Sequence, residues 1–531
     1  MQPSLIHLIQ QRICNQWQSK ALSDYQGDTF TYAEVAHAIS YCHNLFRQYG
    51  IERGDRVALC GEGSARWAIA FMAVTTYGAV PVPILTTFTP AQIQNIITHS
   101  ESRLLFASRT ISQTLDDGSM PLLEQRYIID NLRAPVSLKF KPEDINYTPE
   151  SSPEDMAMIN YTSGTTGNSK GVVLPYRAFL GNYNGFQKDF GKLMKPGTPH
   201  LSILPLAHMY GLTLELICPF LRGCHVTFLK QPPSPTVLTC ALSDVRPHVV
   251  MAVPLVIEKL TKQTIRPIIK KSGMEKAVKW PVLGYVLRQY LHRKLIKAFG
   301  GRVKYIITGG AAINPTVAQQ LLAVHIPLAE AYGATECAPL ITILFDKKRH
   351  PGSCGRKVAG MEIRIDSSDP ANIPGEILTR GTNTMLGYFK NPEATAEALD
   401  ADGWYHTGDN GVIDANGYLY IKGRKKNMLL GPNGQNIYPE EIEHSLNNML
   451  MVQESIVIQR KPGELVALVY PDYNEARELG LTEDNISNIM KLNAVDINEL
   501  IPVYERIHHI EISENEFEKT AKRTIKRYLY K

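Results

Sequence analysis

YTSGTTGNSKG occupies residues 161–171 and interleaves Gly164, Gly167 and Gly171 with the hydroxyls of Ser163, Thr165 and Thr166, closing on the cation of Lys170. Glycine lets a backbone reach positive φ and approach a ligand closely. Convergent N–H and O–H donors beside a fixed positive charge suit a polyphosphate. The GxxxxGK[ST] spacing of a Walker A loop is absent. On composition alone a polar surface turn is the plainer reading, so the segments around the loop have to decide.

Upstream, DRVALC (55–60) reads as a strand, residues 65–77 as a helix, AVPVPI (79–84) as a strand, TPAQIQNIITHS (89–100) as a helix and RLLFAS (103–108) as a strand. Downstream the strand pattern returns in HLSILP (200–205), HVTFLK (225–230), HVVMAVP (248–254) and VKYIITGG (303–310). Strands alternating with helices predict an α/β fold with parallel sheet and crossover helices. After about residue 422 the pattern changes to a hairpin, SIVIQRK-PGE-LVALVYPD (455–472), and helical segments. A length of 531 residues exceeds one core. The expected division is therefore residues 1–425 and a compact α+β unit of residues 426–531, with the linker at 423–426.

The loop closely resembles the phosphate loop of the adenylate-forming superfamily, which includes acyl-CoA synthetases, luciferases and peptide-synthetase adenylation domains. Four further segments match that family in order: TGGAAI (308–313), EAYGATECAP (330–339), GWYHTGD (403–409) and YIKGRKKNM (420–428). The resemblance implies a large N-terminal domain of parallel-sheet α/β subdomains plus a small barrel, and a mobile smaller α+β C-terminal domain. It also implies an ATP site made of Thr162, Ser163, Gly164, Thr165, Thr166, Gly167, Lys170, Gly310, Ala311, Ala312, Tyr332, Gly333, Thr335, Asp409, Ile421 and Arg424. Within it, Tyr332 would stack on adenine, Asp409 hold the ribose hydroxyls, and Glu336 with Thr166 hold Mg²⁺ beside the phosphates. Lys426 matches the hinge, His208 and Val253 the acyl pocket, and Gly434 and Asn436 the tunnel for the thiol of coenzyme A. The implied reaction adenylates a carboxylic acid with release of pyrophosphate and then passes the acyl group to that thiol. Lys170 and Glu336 are the implied catalytic groups near the phosphates.

The tail departs from the family pattern. PKTxxGK[IV]xR is usual, whereas FEKTAKRTIKRYLY (517–530) puts Thr524 where the catalytic Lys is expected, with Lys522 and Lys526 two residues either side. In a strand those two share a face with position 524, so both are candidates for the missing charge. The amino-acid-activating branch needs an acidic counter-charge in the segment reading HMYGLTLEL, where no Asp stands and only Glu215 is near. A non-amino acid is therefore expected, and GPNGQNIYPEEIE (431–443) with the tail looks most like bacterial long-chain fatty acyl-CoA synthetases. A fatty acyl-AMP ligase or an acyl-carrier-protein synthetase shares the first step, and a non-catalytic nucleotide- or lipid-binding protein is the remaining alternative.

Composition adds boundaries. The hydrophobic share of 44%, the charged share of 20% and a net charge of +5 fit an ordinary globular protein and point to no nucleic-acid partner. Residues 258–304 nevertheless carry 13 Lys or Arg against two acids, which suits either a solvated helix face or an anionic membrane surface. The eight cysteines form no CxxC and read as reduced thiols. The N-terminus lacks a signal-peptide core, and residues 67–85, apolar enough to suggest a membrane span, are cut by Gly78, Pro81 and Pro83. The expectation is a cytoplasmic protein, peripheral to the inner face of the membrane if the basic region binds lipid.

Overall fold

The computed structural model describes residues 4–132, 141–162, 169–231, 234–272, 281–345, 350–431, 435–461, 463–520 and 525–530. The apolar run 67–85 becomes the helix Ala65–Tyr77 and the strand Val80–Ile84. Ser64 caps the helix by accepting from Trp67 N–H, and Gly78 ends it at φ +83°, a conformation that costs glycine no Cβ clash. Nearly every side chain of the helix is buried, which is why its sequence is apolar all round. Among the described residues no helix is long and apolar enough to cross a membrane.

Arg56–Cys60, Val80–Ile84, Leu104–Ala107 and Gln125–Ile128 form one all-parallel sheet. Pro199–Ser202, His225–Phe228 and Lys20–Asp24 run parallel in a second, edged by the antiparallel Thr29–Thr31. In a third, Val249–Ala252, Tyr305–Gly309 and Leu328–Gly333 run parallel, and Leu340–Leu344 and Arg356–Lys357 continue it antiparallel. A fourth, four-stranded antiparallel sheet is ordered Met361–Asp366, Gly375–Gly381, Tyr405–Ile413 and Leu419–Arg424.

Beyond Arg424 the chain makes a short 3₁₀ turn, Lys425–Asn427, and enters a region with its own apolar cluster. Ile437, Ile442 and Leu446 pack there against Val457, Ala467, Ile486 and Ile497. The hairpin Val452–Lys461 and Glu464–Pro471 forms as the sequence predicts, with Ile507–Ile512 added parallel to its second strand. The described part of the tail packs back on this sheet. The Arg527 guanidinium donates to both oxygens of buried Glu443 at 2.5 and 2.6 Å and to Val457 O at 2.9 Å. Tyr530 lies edge-on to Phe517. All eight cysteines are free thiols.

Candidate active site

The strands Val249–Ala252, Tyr305–Gly309 and Leu328–Gly333 are parallel, so the residues that follow them leave the sheet at one edge. The carboxyl ends of parallel strands are where α/β folds bind ligands. There Val253 is 36% exposed, and Gly310, Ala311 and Ala312 are exposed in the turn after their strand. Gly310 sits at φ +86°, with nothing within 4 Å of where a Cβ would lie, so the shelf beside it is open. Gly333 is the opposite case. A Cβ there would lie 2.0 Å from Pro339 O, so no other residue fits this turn. Thr335 and Glu336 follow in the 3₁₀ turn Thr335–Cys337.

The loop residues Ser163, Gly164, Thr165, Thr166 and Gly167 lie outside the described residues, as do Gly434 and Lys522. The hairpin that carries the loop is described. Met156–Thr162 pairs antiparallel with Lys170–Pro175, and Thr162 Oγ1 donates to Lys170 O at 3.4 Å. A short strand, Gly387–Tyr388, pairs with the other side of Lys170–Pro175. This brings the Lys170 ammonium over the Tyr388 ring, 4.9 Å from its centroid. The Tyr388 hydroxyl donates to Glu336 Oε1 at 2.9 Å. Lys170 and Glu336 therefore both contact one tyrosine, the cation over its ring and the carboxylate at its hydroxyl. Tyr388 was not singled out in the sequence. It lies 52 residues from Glu336, and only the pairing of distant strands brings them together.

A second group lies on the four-stranded antiparallel sheet and reaches the strand end through Tyr332. The antiparallel register sets Asp409 opposite Arg424. Asp409 Oδ1 receives Arg424 Nε at 2.8 Å and its Oδ2 receives the Tyr332 hydroxyl at 2.7 Å. Burial pushes the Asp409 carboxyl above its ordinary value, against the pull of Arg424 and Tyr332. Burial, then the Asp409 charge, also raises the Tyr332 phenol well above its usual range, so it remains a donor. The Asx turn that GWYHTGD would support in isolation does not form with the Asp409 side chain. Instead Thr407 Oγ1 accepts from Asp409 N–H at 3.1 Å, and Arg424 Nη1 donates to Thr407 O at 3.2 Å. Glu376 steadies the preceding turn by accepting from Gly408 N–H at 3.1 Å and from Lys425 at 2.8 Å. Ile421 is 37% exposed on the strand that ends at Arg424. Partial desolvation of its ammonium, then the neighbouring Arg424 charge, holds Lys426 below the ordinary lysine value.

His208 is half-buried, and its backbone O accepts from Leu212 N–H as the chain enters a π-helix, Gly211–Ile217. Tyr210 reaches from this segment to Ile307 O at 3.1 Å, tying it to the strand that ends in the glycine shelf. Glu215, the acid of the HMYGLTLEL segment, is fully buried in the π-helix. Its Oε2 accepts from Ser202 Oγ, Ile203 N–H and Leu204 N–H at 3.1, 3.1 and 2.9 Å. It thereby holds the turn that leads to His208 and is not presented as a counter-charge for an ammonium.

Burial pushes the Glu215 carboxyl from 4.5 up to about 8. A folded-state value above the unfolded one means that its contribution is complete below about pH 4.5 and is lost as pH rises through about 8. Glu215→Gln keeps an acceptor oxygen without that titration. Its stability relative to the parent is expected to rise between about pH 5 and about pH 8 in denaturant titrations. A difference independent of pH would contradict the buried, protonated state.

Asn436 is exposed in the short strand Asn436–Ile437. Lys526 donates to Glu518 Oε2 at 3.1 Å.

With this geometry in place, the sequence profile of the family described as "AMP-binding enzyme" matches residues 10–389. The chain belongs to the AMP-binding enzyme family. Among curated relatives it is 28% identical to long chain acyl-CoA synthetase 1 of Arabidopsis thaliana, over 90% of this chain and 80% of that protein. It is 26% identical to a long-chain-fatty-acid–CoA ligase of Escherichia coli O6:H1, over 85% and 82%. It is 27% identical to the medium-chain fatty-acid–CoA ligase of Escherichia coli K12, over 82% and 75%. The fold matches that of the O-succinylbenzoate coenzyme A synthetase of Bacillus subtilis in complex with AMP. That match has a TM-score of 0.78 at 21% identity and covers 99% of this chain and 98% of the other. ATP-bound MatB of Rhodopseudomonas palustris gives 0.79 at 22%, covering 100% and 98%. Family membership and fold agree with the α/β architecture and with the separate C-terminal region.

Proposed function

We propose that the chain is an AMP-forming ligase that joins a fatty acid to coenzyme A. The observation that carries this reading is the pair of linked groups Lys170–Tyr388–Glu336 and Tyr332–Asp409–Arg424, drawn from three sheets and joined in sequence through Tyr332 and Glu336 of one strand end. This arrangement offers a cation and a carboxylate for the phosphates, a buried carboxylate for ribose hydroxyls, and an open glycine shelf for a flat base. The names of the curated relatives and the engagement of Glu215 with backbone N–H groups both favour a fatty acid over an amino acid.

In the first step a carboxylate oxygen of the acid attacks the α-phosphorus of ATP, and the bond to the bridging oxygen breaks to release pyrophosphate. Negative charge gathers on the phosphoryl oxygens, and a preorganised cation such as Lys170 lowers that barrier electrostatically. In the second step a thiol sulfur attacks the acyl carbon and AMP leaves. Mg²⁺ is commonly held by one or two carboxylates together with substrate phosphates. The single carboxylate of Glu336 fits that mode, and no cluster of three or more metal-ligating side chains occurs among the described residues. Glu336 with Thr166 would hold the ion, which would neutralise phosphate charge.

The two-unit division at 425/426, with Lys426 as its hinge and Gly434 and Asn436 along the thiol's path, belongs to the same proposal. So does the supply of the missing tail charge by Lys526 or Lys522. The double variant Lys522→Ala/Lys526→Ala is expected to slow pyrophosphate release by about 10²-fold. It should leave thioester formation from a supplied acyl-adenylate near the parent rate, and the single variants then tell which lysine acts. A double variant that releases pyrophosphate at the parent rate would remove both lysines from the first step. The acceptor is tested directly by mass spectrometry after incubation with acid, ATP and coenzyme A. An acyl-adenylate that accumulates without acyl-CoA would favour the acyl-AMP ligase or carrier-protein alternative.

A further inference from the structure

The basic stretch 258–304 resolves in part into the helix Pro281–Ala298, which packs against the helix Pro254–Ser272. Its inward residues, Leu287, Leu291 and Leu295, recur every fourth position and are 5%, 5% and 0% exposed. They join the cluster containing Val250, Ala252, Ile257 and Ile306, the same core that supports the strands ending at Val253 and at the glycine shelf. The outward face is unlike an ordinary solvated one. Tyr285, Val286 and Tyr290 are 59%, 61% and 46% exposed, and on the following turns Arg293, Lys294 and Lys297 are exposed. The described helix carries no acid at all. The Lys294 ammonium lies 5.6 Å from the Tyr290 ring centroid, so aromatic and cationic side chains form one patch.

A singly exposed apolar residue is ordinary, whereas three large ones grouped with cations and no acid on one helix face mark an interaction surface. Tyrosines with an apolar body and a polar tip, set beside lysine and arginine, suit the boundary between headgroups and acyl chains. We infer that the outward face of Pro281–Ala298, through Tyr285, Val286, Tyr290, Arg293, Lys294 and Lys297, docks on the anionic surface of a lipid bilayer. Charge complementarity selects that occupant: the patch carries three exposed cations and no acid, and its aromatic member Tyr290 lies against Lys294. The inference deepens the fatty-acid reading and rests on it for its purpose, since a lipid-borne acid would arrive beside the core that underlies the acyl pocket. Binding itself does not depend on catalysis.

The test uses the full chain with two kinds of vesicle, phosphatidylcholine alone and phosphatidylcholine with phosphatidylglycerol. The parent protein is expected to co-float with the anionic vesicles only and to be released as salt rises. Arg293→Glu/Lys294→Glu/Lys297→Glu should reduce partitioning by about tenfold or more. Tyr285→Ser/Val286→Ser/Tyr290→Ser should do so with less change in salt dependence. Both triple variants should keep the parent's melting temperature and its pyrophosphate release with a short, soluble acid. Tyr290→Trp gives a second readout that requires no loss of function: its indole emission should shift to the blue on anionic vesicles. Parent protein that stays unbound, triple variants that bind as the parent does, or an indole at position 290 that remains in water would each overturn the assignment. Loss of pyrophosphate release with vesicle binding intact would instead count against the ligase reading.

Discussion

Glu336→Ala is expected to slow pyrophosphate release by about 10²–10³-fold, the usual effect of removing a preorganised electrostatic group from a transition state. Glu336 is fixed from two directions. Its backbone O accepts from Met385 N–H at 2.8 Å, and its Oε1 accepts from the Tyr388 hydroxyl at 2.9 Å. The substitution leaves the turn and its backbone contacts in place, so the loss should appear in turnover rather than in folding. Tyr388→Phe separates positioning from charge. It removes one hydrogen bond but keeps the ring beneath Lys170, so a reduction of about tenfold is expected, near the value of one hydrogen bond to a charged group. Single-turnover pyrophosphate release measures both. If Glu336→Ala released pyrophosphate at the parent rate, the carboxylate would have no part in the first step.

Arg527→Ala should destabilise the C-terminal region by about 2–4 kcal/mol, because it leaves the Glu443 carboxylate buried without its cation. Burial already lifts Glu443 from 4.5 to about 7 despite the guanidinium. The contribution of this group is therefore complete below about pH 4.5 and is lost as pH rises through about 7. Without Arg527 the carboxyl should hold its proton to still higher pH, and the deficit of the variant should be largest on the alkaline side. Denaturant titrations at about pH 5 and about pH 8 check this, and Arg527→Lys, which lacks the two-pronged fork, should recover only part of the loss. Arg527 also anchors the described end of the tail, residues 525–530, which carries Lys526. The variant should thus slow the first step more than the second. An unchanged stability at both pH values would mean that the pair is not held as described.

Much of the fold was legible because it rests on local signals. The helix Ala65–Tyr77 has a serine cap and a glycine stop written in its sequence, and the parallel strands announce themselves as short apolar runs. The candidate site residues were found through their motifs, and in the structure Tyr332 meets Asp409, Asp409 meets Arg424, and Tyr388 links Lys170 to Glu336. What was not legible depends on pairings between distant segments. Tyr388 enters the site because Gly387–Tyr388 pairs with Lys170–Pro175, a register with no local signature. Glu215 read as a nearby acid, yet its role follows from a π-helix that turns it toward Ser202, Ile203 and Leu204. The basic character of 258–304 was plain from composition, but the alternation of Leu287, Leu291 and Leu295 with exposed tyrosines had to be seen on the helix.

The central claim is that one chain adenylates a fatty acid and transfers it to coenzyme A. The direct measurement incubates the purified protein with ATP, Mg²⁺, coenzyme A and a panel of short, aromatic, amino, medium-chain and long-chain acids, following pyrophosphate, AMP and thioester together. Pyrophosphate, AMP and acyl-CoA are expected in equal amounts with medium- or long-chain fatty acids, and little of any with amino acids. Pyrophosphate release by none of the acids, or release by amino acids in preference to fatty acids, would contradict the claim.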